Sequence, residues 1–162
     1  MKSTVHYLLE NLELQLDLQH ALISLLEKKH RAVIERDQGG MEVILPEERR
    51  VVSQIRRLID IRAAIVEKFS VRHAIPGEQR TLSGIREKFP EECRQVLDDT
   101  ARSLSQTAIR IAELDASQHR ERRPEPEIDR LMGAVVGEAV TFFPVKIKRG
   151  RKRRPAIVPK TA

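Results

Sequence analysis

The side chains that could do chemistry are dispersed along the chain. His6, His20, His30, His73 and His119 show no His-x-x-x-His spacing, and Cys93 is the only cysteine. No metal-ligand set of the usual spacings is therefore written in the sequence. His6 and His20 fall on similar sides of one predicted helix, but about 20 Å apart along it at ~1.5 Å per residue. They read as surface or stripe-edge residues. Cys93 could serve as a nucleophile, but it occupies an apolar stripe position, where a small buried hydrophobe is the expected role. There is no phosphate-cradling glycine loop and no paired-carboxylate pocket. These residues point away from an enzyme and imply no cofactor.

The elements that carry these residues are helices. Thr4 to Asp37 contains no glycine or proline, and Val5, Leu8, Leu9, Leu12, Leu16, Ile23, Leu26, Val33 and Ile34 recur at three-and-four spacing. Ser3 or Thr4 is the expected N-cap, and Gly39-Gly40 the expected stop. Glu27 and Arg31 stand at the favourable i,i+4 spacing for an ion pair. A helix of this length spans roughly 50 Å and needs long neighbours to cover its stripe. Pro46-Glu47-Glu48 reads as the start of the next helix, with proline at its first position and acids in its first turn. Its stripe is Val51, Val52, Ile55, Leu58, Ile59, Ile65, Val66 and Phe69, so the two helices form an antiparallel hairpin. Ile75-Pro76-Gly77 breaks the pattern, and a short helix with Leu82, Ile85 and Phe89 inward follows. Pro90-Glu91-Glu92 opens a third long helix with the stripe Cys93, Val96, Leu97, Leu104, Ala108, Ile111 and Leu114. It fades at Ser117 to Arg123, and Pro124-Glu125-Pro126 is a linker.

Composition agrees with this plan. Charged residues make up 33% of the 162 residues and aromatics 3%, so the core must be aliphatic. So few aromatics do not make a base-stacking surface. The net charge of +6 is concentrated at one end. Residues 144–162 hold eight basic and no acidic residues, which leaves 22 basic against 24 acidic in the rest. The helical body is therefore not a nucleic-acid surface on charge grounds. A lone cysteine fits a reducing cytoplasm, the N-terminus lacks a signal pattern, and no stretch is apolar enough to span a membrane.

Two features lie beyond the linker. Ile128, Leu131, Met132, Val135, Val136, Ala139, Val140 and Phe143 form a second helical apolar face over 128–143. It either folds back as the last helix of the bundle or lays its face on a partner helix. Within it, Gly133 and Gly137 have the small-x-x-x-small spacing of close helix approach, a spacing that chance also produces. The tail, 144–162, carries Lys146, Lys148, Arg149, Arg151, Lys152, Arg153 and Arg154 and reads as disordered. It is a solubilising tail, a contact for an acidic protein or anionic membrane beside Phe142-Phe143, or a salt-sensitive, non-specific nucleic-acid contact.

The run Leu22-Ile23-Ser24-Leu25-Leu26-Glu27-Lys28-Lys29-His30-Arg31-Ala32-Val33-Ile34-Glu35-Arg36-Asp37 resembles the FlgN-type flagellar export chaperone family. The resemblance rests on paired leucines, a charged cluster, a small-aliphatic step and an aspartate at the turn. It extends over residues 4–70 and, more weakly, to Leu114. It implies a cytoplasmic helical protein that holds hook-associated, filament-junction subunits before type III export. The export apparatus is a further partner in this picture, and self-association is open.

The expectation is thus an all-α, elongated antiparallel bundle of three long helices plus a short one over 1–123. A linker at 124–127, an amphipathic helix at 128–143 and a disordered basic tail complete it. Leu131, Met132, Val135, Val136, Val140 and Phe143 are the expected client-binding set. The competing readings are a scaffold that self-associates through its helices and an adaptor that uses the tail on an anionic membrane or nucleic acid.

Overall fold

The computed structural model describes residues 3–119, and every regular element among them is helical. Helix α1 spans Thr4–Glu35, α2 Gln38–Arg72, α3 Leu82–Ile85 and α4 Glu91–His119, with short 3₁₀ turns at Gly77–Gln79 and Arg86–Lys88. The three long helices and the short one match the all-α bundle expected. Both α2 and α4 lie along α1.

Helix α1 starts where Ser3 caps it: the Ser3 hydroxyl accepts from the His6 amide at 3.3 Å. Its end differs from expectation. Gly39-Gly40 is not the stop. Arg36 adopts the left-handed conformation, φ 55°, and its N–H closes on the carbonyls of Ala32 and Val33. Asp37 then caps α2 by accepting from the Gly40 amide at 2.9 Å. The hairpin turn is Arg36-Asp37, and the glycines sit in the first turn of α2. A Cβ on Gly40 would crowd the Asp37 carboxylate at 2.3 Å, so the cap favours glycine there.

Pro46 is likewise not a helix start. It lies inside α2, which runs unbroken from Gln38 to Arg72. Proline removes one backbone hydrogen bond from the ladder. The helix persists because it was nucleated by the Asp37 cap and anchored by buried Met41 and Glu48 on either side of the proline.

Two apolar clusters hold the bundle. Leu22, Leu26, Val51, Ile55, Ala108, Ile111 and Leu114 form one, drawn from all three long helices. The other joins Leu8, Leu12, Val66, Phe69, Leu97 and Leu104 to Ile75, Ile85 and Phe89 of the α2–α4 connection. Each such fully buried side chain contributes about 1.5–3 kcal/mol. Cys93 packs half-buried against this second cluster, as a small hydrophobe would. Two stripe positions behave otherwise: Val96 is 42% exposed and Ile34 66% exposed.

Candidate functional site

His6, His20, His30 and His73 are not brought together. His6 sits exposed beside Glu10 at 3.5 Å, and His20 is exposed. His30 is half-buried, with its Nδ1 shielded and unpartnered. His73 stacks on Phe69 with ring centres 4.2 Å apart. Among the described residues no group of three or more His, Cys, Asp or Glu side chains could hold a metal ion.

Polar chemistry is instead built into the helix interfaces. Asn11, Gln15 and Gln19 recur every fourth residue on α1, and all three are buried. The Asn11 amide donates to the Leu58 carbonyl at 3.1 Å. Gln15 accepts from Arg62, and Gln19 accepts from the Thr107 hydroxyl. Burial pushes the Arg62 guanidinium down to about 10. Buried polar groups that find partners fix register, because any slip would leave them unpaired. Sequence reading passed over this seam, although its signal was present: three amide side chains at i, i+4 and i+8 among leucines.

Towards the hairpin turn, Lys29 donates to both oxygens of Glu48, at 3.0 and 2.9 Å, with the Glu48 side chain only 1% exposed. Glu27 does not pair with Arg31 along its own helix. Its carboxylate reaches Arg110 of α4 at 3.3 Å. The Gln118 amide donates to the Leu26 carbonyl at 2.8 Å, which places the last described turn of α4 beside the start of the final third of α1. Beyond it the hairpin continues with an open cleft of about 450 Å³ lined by Ala32, Val33, Arg36, Asp37, Gln38, Met41 and Glu42. Ile34 and Val43 are exposed at this end, 66% and 74%.

The expected client-binding residues Leu131, Met132, Val135, Val136, Val140 and Phe143 lie outside the described residues. So do the linker at 124–127, the Gly133/Gly137 pair and the basic residues from Lys146 to Arg154.

A bundle of three long helices with a polar seam and two apolar cores defines the class as an all-α helical bundle. The particular family follows from comparison: residues 1–120 match the FlgN protein family, and the chain belongs to it. This is a family of flagellar export chaperones and not a family of enzymes. Comparison with curated proteins and with solved structures returns no match. No helix among the described residues is long and apolar enough to cross a membrane.

Proposed function

We propose that this protein is a cytoplasmic chaperone that binds amphipathic helices of flagellar hook-associated subunits and keeps them from assembling before export. The action is physical masking: an apolar chaperone face occupies the surface through which junction subunits would form coiled coils. The face assigned to this role is Leu131, Met132, Val135, Val136, Val140 and Phe143. Each of these side chains, fully buried on the client, would contribute roughly 1.5–3 kcal/mol before ordering costs. The observation that carries the reading is the family match, which covers residues 1–120 and so assigns the bundle to export chaperones. The stripe at 128–143 supports it as a second apolar face, beyond the two clusters that α1, α2 and α4 build. The basic run Lys146–Arg154 adds a contact for an anionic surface, weakened by salt.

Deletion of residues 127–143 tests this. Capture of a hook-associated subunit should be lost while the helical circular-dichroism signal of the bundle remains. Unfolding of the shortened chain, or undiminished capture, would overturn the assignment.

A further inference from the structure

Three exposed apolar side chains share one outer face of the bundle, along the seam between α1 and α2. Tyr7 is 52% exposed, Leu14 54% and Ile61 43%. Leu14 and Ile61 each stand one residue before a member of the buried Gln15–Arg62 pair. In antiparallel helices that step turns both side chains to the same side, about 100° away from the contact. Tyr7 lies two turns before Leu14 on the same side. Leu18, Leu58 and Ile65 are half-buried and bridge the three. Helix α4 packs on the other flank of α1, where Gln19 meets Thr107 and Glu27 meets Arg110.

The two rims of this face carry opposite charge. From Thr4 to Glu27, α1 holds no lysine or arginine, and Glu10 and Asp17 line its rim. Arg57 and Lys68 line the rim on α2. The Gln15–Arg62 pair sets the levels along the axis. Asp17 lies level with residue 60, within a turn of Arg57, and Glu10 lies level with residue 67, beside Lys68. Glu10 also meets His6 on its own helix. Asp60, two residues before Arg62, turns away from the face.

Such a face matches itself. A two-fold axis along the seam, parallel to the helices, lays α1 of one copy on α2 of the other. Leu14 then meets Ile61 of the second copy, Asp17 meets Arg57 and Glu10 meets Lys68, each contact occurring twice. A two-fold axis across the helices would set α1 on α1 and acid on acid, so charge selects the first arrangement. We infer that this face joins two copies of the chain into a dimer, with α1 of each copy on α2 of the other. Burial of Tyr7, Leu14 and Ile61 drives the contact, and the rim charges fix its register. The dimer is centred on residues outside the core stripes and does not depend on the proposed role of 128–143.

Sedimentation of the full chain tests this, with circular dichroism on the same samples. The wild type should be a dimer at about 100 μM, and Leu14→Glu should shift it to monomer. Charge exchange is the sharper test. Asp17→Arg and Arg57→Asp should each weaken the dimer about tenfold, because each sets like charges together on both sides of the axis. Combined in one chain, the two should restore the Kd to within about threefold of the wild type. All three positions are exposed, so the helical signal should not change. A wild type that stays monomeric at about 100 μM would overturn the inference. A dimer indifferent to Leu14→Glu would do so too, by placing the contact on another surface. Single exchanges that the combination fails to rescue would overturn the α1-on-α2 arrangement.

Discussion

The two ends of the bundle are finished in opposite ways. At one end the connection between α2 and α4 folds over the helices and seals them. Phe89 packs edge-on against Phe69 with ring centres 5.4 Å apart, and Ile75 and Ile85 close the same cluster. The connection is pinned by charge as well. Arg86 grips Asp98 of α4, with Nε 2.7 Å from Oδ1, and Arg94 donates to the carbonyls of Phe89 and Glu87, both at 2.9 Å. Arg80 ties the same loop to Glu67 and to the Ile75 carbonyl. Gly84 passes so near the Gln79 carbonyl that a Cβ would fall 2.0 Å from its oxygen. At the other end, around the hairpin turn, Ile34 and Val43 are 66% and 74% exposed beside an open cleft. One end is built for stability. The other leaves large apolar side chains at the surface.

Phe89→Ala should give the largest stability loss, about 3–5 kcal/mol in urea unfolding, because a sealed site cannot collapse around the cavity. Glu48→Ala comes next at about 3 kcal/mol, since it strands the Lys29 ammonium beside a site that is 1% exposed. A loss as large as that of Phe89→Ala would mean the open end is as cooperative as the closed one. Gly84→Ala should cost about 1–3 kcal/mol, as the loop must shift off the Gln79 carbonyl.

The Asp98 clamp predicts a pH effect. Hydrogen bonding from Arg86 holds the Asp98 carboxyl below the usual carboxylate range, against a smaller opposing cost of burial. A depressed folded value means the contribution is complete above the unfolded value of about 4 and is lost as pH falls through the folded one. The stability gap between the wild type and Asp98→Asn should therefore be widest near neutrality and close on acidification. A gap that stays constant to low pH would show the clamp to be idle. The smallest effect should be that of Ile34→Ala, within about 0.5 kcal/mol, as for other exposed positions. A core-sized loss there would erase the contrast between the ends.

The same contrast explains what was readable from the sequence. Stripes, the Ser3 cap, the break at Ile75-Pro76-Gly77 and the Pro90-Glu91-Glu92 start are local signals, and the helices follow them. Gly39-Gly40 and Pro46 misled because residue type was read without its neighbours. The Asp37 cap starts α2 ahead of both glycines, and a helix already nucleated carries one proline. Ile34 falls in the stripe of α1 yet is 66% exposed, because the periodicity of one helix cannot say what lies beside each of its turns. The pairing of Glu27 with Arg110, and the seam of Asn11, Gln15 and Gln19, depend on residues more than 40 positions away. In the candidate site, the face at 128–143 was legible as a period and nothing more, since a period does not name what it covers.

The central claim is that client binding resides in 128–143 while the bundle stands without it. Titration calorimetry of a hook-associated subunit into the full chain carrying Val136→Asp and Val140→Asp tests it most directly, with thermal unfolding followed on the same sample. The binding heat should disappear while the unfolding midpoint stays within a few degrees of the wild type. Unchanged binding, or collapse of the midpoint together with the loss of binding, would contradict it.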